Sequence, residues 1–130
     1  MKNYTLYGDS RSGNCYKVAA ILRLTQRPFD WVEMDVMKGV TRTPEFLGLN
    51  PNGKVPLLVL PDGRPLSESN AMLLHLSEGT SYLPDDVYDR ALVYQWLFFE
   101  QYSHEPYIAV ARFLILLAGL EHEEAERIRV

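Results

Sequence analysis

The single cysteine of the chain, Cys15, stands three residues after Ser12 and next to Asn14 in the segment RSGNCYKV, Arg11 to Val18. These three side chains fall where an apolar run, Tyr4 to Tyr7, passes through Gly8, Ser10, Ser12, Gly13 and Asn14 into a helical pattern. The first N–H groups of a helix have no intrahelical partner, and the helix dipole adds positive potential, so an anion is stabilised there. A serine hydroxyl at such a point can donate to a thiolate, and a cysteine can become one. The same residues suit a plainer role, because serine is a common N-cap and a free cysteine a common small core residue. Residue types alone leave both readings open.

Two more groups flank strand or helix starts. Lys54-Val55-Pro56 opens an apolar run, which by itself reads as a strand start beside a solvated lysine. Glu68-Ser69 follows Ser67, which reads as a helix cap with Glu68 favouring the first turn. The histidines, His75, His104 and His122, show no metal-ligand spacing and pair with no local nucleophile, so no metal is expected.

The elements that must hold these groups follow from periodicity. Val18, Ile21, Leu22 and Thr25 repeat at i, i+3, i+4 and i+7, giving a helix that Pro28 ends. Phe29 to Val36 alternates as a strand, and Thr43 followed by Pro44 predicts a short helix over Pro44 to Leu49. Asn50-Pro51-Asn52-Gly53 is a loop. Pro56 to Leu60 and Arg64 to Leu66 form a hairpin around Pro61-Asp62-Gly63. A helix capped by Ser67 and running to about Glu78 carries Ala71, Met72, Leu73, Leu74 and Leu76 most of the way round, which predicts cover on two sides.

After Gly79 to Pro84 the pattern is helical only. Asp85, Asp86 and Asp89 suit a helix N-terminus, Pro106 interrupts or kinks, and Glu123 and Arg127 make an i, i+4 pair. The aromatic series Tyr94, Trp96, Phe98, Phe99, Tyr102 and Tyr107 is expected to pack between helices rather than line a substrate pocket. The organisation read from this order is an α/β module over 1–79, a linker over 80–84 and an α-helical part over 85–130. Strands joined through a helix should be parallel, with the hairpin antiparallel.

At 130 residues with 47% hydrophobic composition, the chain has enough apolar surface for a real core. A formal charge of -4 gives no electrostatic reason to expect nucleic acid, whose phosphates demand clustered Lys and Arg. The longest apolar stretch, from Tyr107, contains Arg112 and is too short to span a bilayer. One cysteine and no signal-like N-terminus point to a cytoplasmic setting.

LYGDSRSGNCYKV, TPEFLGLNPNGKVPLLVL, SESNAMLLHL and SYLP, in this order and spacing, resemble the glutathione transferase superfamily over roughly residues 4 to 84. The resemblance implies a thioredoxin-like βαβαββα domain followed by the start of an all-α domain. It implies that glutathione is a co-substrate whose thiol is activated for attack on an apolar electrophile, in a homodimer. Ser12 aligns with the activating serine of serine-type members, Asn14 with an asparagine near the thiol in the nu-like class, and Cys15 with the cysteine of the beta class. Val55 and a cis Pro56 would receive the cysteinyl part of glutathione, Lys54 its glycine carboxylate, and Glu68 with Ser69 its γ-glutamyl end. Helices after the linker would form the electrophile wall. Glutathione-dependent disulfide reduction and a non-catalytic interaction module are the alternatives the family offers. Full members carry a longer helical domain, so ending at Val130 suggests a truncated or self-associating chain, with Leu114 to Leu117 exposed.

Overall fold

The structure is a computed structural model that describes residues 2–119. Alternation and helical periodicity build a four-stranded sheet from β1 (Tyr4–Gly8), β2 (Phe29–Glu33), β3 (Leu57–Val59) and β4 (Pro65–Leu66), in the order β2-β1-β3-β4. β1 and β2 are parallel, with Tyr4 opposite Phe29 and Gly8 opposite Glu33. The antiparallel pairing of β1 with β3 sets Leu6 opposite Leu58 and Tyr7 opposite Leu57. Between them lie α1 (Gly13–Leu24) and α2 (Pro44–Leu49), and α3 (Ser69–Ser77) follows β4, which completes the thioredoxin-like βαβαββα order.

The two-residue period of the strands divides the core. Leu6 and Leu58 face α1 and α3, packing with Val18, Leu22, Met72 and Leu76. On the opposite face Leu57 packs with Met34 and Phe46, and Tyr7 meets the Phe46 ring edge-on at 6.1 Å. Leu6, Leu22, Leu58 and Leu76 are fully buried, so truncating any one to alanine removes about 2–5 kcal/mol. Because α1 and α3 share one sheet face, the helix starts that carry Ser12 and Glu68-Ser69 belong to the same packed layer.

Several boundaries differ from expectation. β2 ends at Glu33, because the buried Asp9 carboxylate accepts from the Val36 N–H while Asp35 caps a 3-10 turn over Val36–Lys38. The hairpin strands are shorter than predicted. Gly63, at φ 91°, makes the turn and donates to the Leu60 carbonyl. Ser67 does not cap α3: the helix starts at Ser69, with Glu68 at the cap position and no side-chain bond into the first turn. Nor is α3 covered on two sides. Met72 and Leu76 are fully buried, whereas Ala71, Leu73 and Leu74 are half-buried.

The chain divides into two units, one ending at Leu83 and the other beginning at Pro84. Residues 80–83, expected in a linker, fall in the first unit, where Leu83 is buried and donates to the Thr80 carbonyl. In the second, Asp86 caps α4 (Val87–Phe99) by accepting from the Tyr88 and Asp89 N–H groups. Pro106 lacks the N–H that would continue α4, and a π-helical turn, Glu100–His104, absorbs the break before α5 (Glu105–Leu116).

The aromatic series does not pack as expected. Trp96, Phe98, Phe99, Tyr102 and Tyr107 are exposed, although Trp96 and Phe99 stack edge-on at 5.6 Å. Leu116 is exposed, while Leu114, Ile115 and Leu117 are half-buried. Among the described residues no helix is long and apolar enough to cross a membrane, and no group of three potential metal ligands occurs. His122, Glu123 and Arg127 lie outside the described residues.

Candidate functional site

β1 delivers the chain into the loop Asp9 to Ser12, and Ser12 closes it in extended backbone, φ -88° and ψ 123°, as the N-cap of α1. Its Oγ accepts from the Cys15 N–H at 3.3 Å. That bond fixes where the oxygen sits but uses only a lone pair, so the hydroxyl hydrogen remains able to donate. The capping role and a thiol-directed role are therefore compatible in one side chain.

The loop is locked from behind by residues that sequence reasoning passed over. Asp9 is buried, and both its oxygens are used: Arg11 Nε donates to Oδ1 at 2.9 Å and Arg11 Nη2 to Oδ2 at 2.7 Å. The Arg11 and Val36 N–H groups donate to the same carboxylate at 3.0 and 3.2 Å. These bonds, led by the Arg11 side chain, hold the Asp9 carboxyl down at about 2, against the opposing effect of burial. Arg11 Nη2 also reaches Asp35 Oδ1 at 2.7 Å, and the Ser12 N–H donates to the Asp9 carbonyl at 2.9 Å. An Asp and an Arg two apart in a turn normally read as a solvated pair, so nothing in the sequence marked them.

Cys15 is fully buried, and burial pushes its thiol up, outweighing hydrogen bonds from the Ser12 hydroxyl and the Asp9 backbone. A neutral thiol is a weak acceptor, so it competes little for the Ser12 proton. A sulfur with no accessible surface also fails the exposure that reactive cysteines have.

Across the sheet, Asn50 builds the next loop. Its Nδ2 donates to the Lys54 carbonyl at 2.8 Å, and its Oδ1 accepts from the Asn52 N–H at 3.2 Å. Gly53 sits at φ 62°, a left-handed conformation strained for a side chain, and an added Cβ would lie 3.1 Å from the Thr41 carbonyl oxygen, so glycine suits this turn. The loop delivers Val55 and Pro56, joined by a cis peptide bond. Continuing the β1–β3 register past Tyr7 and Leu57 carries Val55-Pro56 alongside Gly8-Asp9, the approach to Ser12. Among the described residues, neither the N–H nor the C=O of half-buried Val55 takes a partner. The Lys54 ammonium is exposed and likewise has none among them.

The third group joins the first. Ser69 is buried, and its Oγ donates to Asn14 Oδ1 at 3.4 Å, tying the start of α3 to the start of α1. One helical turn further on, Lys17 Nζ donates to Asn70 Oδ1 at 2.7 Å. Glu68 is held at φ 68° and ψ 111°, strained for any residue with a Cβ, and its exposed carboxylate has no partner among the described residues. The Ser69 and Ala71 N–H groups at this uncapped start also take none among them. Ser12, Asn14, Cys15 and Ser69 are thus assembled at one place, with Glu68 at its edge. A strand-like segment with unused backbone groups, an acid beside a helix N-terminus and an oriented hydroxyl together suit a short peptide that carries an ammonium and a carboxylate at one end.

Comparison with known proteins bears on the family and the fold. Residues 11–78 match the family model described as glutathione S-transferase, N-terminal domain. A solved glutathione S-transferase from Pseudomonas fluorescens [Pf-5] is 53% identical, with a TM-score of 0.90 over 95% of this chain and 62% of that one. Ure2p, solved in complex with glutathione, is 31% identical with a TM-score of 0.82, over 98% of this chain and 57% of that one. Protein URE2 of Eremothecium gossypii is 35% identical over 120 residues, 85% of this chain and 34% of that protein. The chain thus spans about a third of that curated relative and about three-fifths of the solved chains.

Proposed function

The chain belongs to the glutathione S-transferase family, and from that premise we propose that its first unit binds glutathione and ionises the thiol for attack on an apolar electrophile. Glutathione lies extended along Val55, exchanging hydrogen bonds with its backbone as an added strand would. Glu68 pairs with the γ-glutamyl ammonium, and the N-terminus of α3 receives the neighbouring carboxylate. Lys54 reaches the glycine carboxylate. The cysteinyl sulfur then lies at the opening of α1, where the Ser12 hydroxyl donates to the thiolate and lowers its pKa from about 8.5. The thiol proton passes to solvent, the sulfur pair forms a bond to the electrophilic carbon, and the leaving group departs with its own electron pair. Asn14 acts by steadying Ser69, and Cys15 by filling the space behind Ser12.

What carries the reading is the Ser69–Asn14 bond of 3.4 Å: it ties Glu68-Ser69 to the helix start that bears the hydroxyl, as one tripeptide would require. Calorimetry with glutathione, followed by a conjugation assay with a halogenated arene, tests it. Binding at millimolar ligand or tighter with thioether formation supports the proposal; absence of any heat of binding sinks it. The Ser12–Cys15 bond favours a second reading, in which Ser12 only caps α1 and the chain is a glutathione-binding interaction module. Binding without turnover would select that one.

A further inference from the structure

Outside the groups that would touch glutathione, Asp9, Arg11 and Asp35 form a compact polar cluster in the first unit. The Arg11 guanidinium bridges two carboxylates, side by side on Asp9 at 2.9 and 2.7 Å and singly on Asp35 at 2.7 Å. Asp35 is in turn neighboured by Lys38 at 3.4 Å, and Glu33 accepts from the Ser10 N–H at 3.0 Å. The loop between β1 and α1 is therefore pinned at Asp9, Ser10 and Arg11 to the segment that follows β2. Ser12 follows directly, its own N–H held by the Asp9 carbonyl. Among the described residues, the bonds named in this network run to neither Val55 nor Glu68.

We propose that Asp9, Arg11 and Asp35 form a clamp that positions the Ser12 hydroxyl for thiolate stabilisation without contributing to glutathione affinity. They are positioning residues, acting through Ser12. The geometry explains why such a clamp is needed. A hydrogen bond weakens steeply with angle, and a four-residue loop bearing two serines has no rigidity of its own. Arg11 supplies the rigidity and also screens the buried Asp9 charge, which would otherwise oppose a thiolate forming nearby.

The inference rests on the function proposed above, and its test separates the two. Thiolate of bound glutathione is followed by ultraviolet absorbance against pH in the wild type, Arg11→Met and Arg11→Lys. S-methylglutathione, which has no thiol to ionise, reports affinity in each. The expected result is S-methylglutathione affinity within about twofold throughout, with thiolate below the pKa reduced about three- to tenfold in Arg11→Met. Arg11→Lys should fall between, since an ammonium bridges two carboxylates without pairing side by side with either. Wild-type ionisation in Arg11→Met overturns the inference, as does an equal loss of affinity and ionisation. If Arg11→Met does not fold, wild-type ionisation in Arg11→Lys overturns it instead. Failure of the wild type to bind S-methylglutathione, or unchanged ionisation in Ser12→Ala, removes the parent reading and this one with it; Arg11 variants that behave as wild type remove this one alone.

Discussion

At the residue scale, Ser12, Cys15 and Asp9 carry separable roles that substitution should separate. Cys15 is sealed from solvent with its thiol kept neutral by burial, so Cys15→Ala should hold conjugation within about threefold while costing about 1 kcal/mol of stability through the lost sulfur. Conjugation rates and urea unfolding of one preparation check both halves. Asp9 titrates at about 2 when folded against an ordinary 3.8. A depressed folded pKa contributes stability that is fully present above the ordinary value and lost as pH falls through the folded one. The wild type should therefore lose about 2 kcal/mol more than Asp9→Asn between pH 5 and pH 2. Unfolding midpoints across that range measure the difference, and parallel curves would contradict the assignment. Ser12 and Cys15 could be named from the sequence because residue type and position mark them. Asp9 and Arg11 could not, since what distinguishes them from any solvated pair is burial of the carboxylate against Val36, a contact made by tertiary structure.

At the scale of elements, strained or tight backbone occurs where two of the proposed contacts are made. Glu68 at φ 68° opens α3 without capping it, an arrangement that costs of order 1–3 kcal/mol and persists where its surroundings over-determine it. Glu68→Gly should relieve part of that, raising stability by about 1 kcal/mol while abolishing measurable glutathione binding; thermal unfolding and calorimetry on the variant read the two signs. A loss of both would mean that Glu68 is a folding residue. Gly53→Ala works in the opposite sense, forcing a Cβ against Arg42 and the Thr41 carbonyl at positive φ and displacing Lys54 and Val55. Periodicity found α1 from its apolar stripe, while α2 was legible from the Thr43 cap and Pro44 and the hairpin from its Pro61-Asp62-Gly63 turn, each a signal that lies within a single element. It misplaced the start of α3, since Ser67 is the better cap by residue type and only the unusual backbone at Glu68 moves the cap one residue on. It overran β2 because the capture of the Val36 N–H by Asp9 is invisible to alternation.

On the scale of the whole molecule, the first unit has a closed core on both faces of its sheet, whereas α4 and α5 bury no residue completely. Trp96 and Phe98 are 63% and 73% exposed, more apolar surface than a stable monomer usually shows to water. The sequence expectation that these rings pack within the helices failed because periodicity shows which residues share a face, not whether a partner covers it. We predict self-association: sedimentation equilibrium should give a species of twice the chain mass whose population rises with concentration, and Phe98→Asp should shift it toward monomer. The account as a whole depends on a tripeptide bound so that its sulfur meets Ser12. The most direct measurement is the pKa of the glutathione thiol in the complex, titrated by thiolate absorbance in the wild type and in Ser12→Ala. The account predicts a pKa at least about one unit below 8.5 in the wild type and a return to about 8.5 in the variant; the same pKa in both would contradict it.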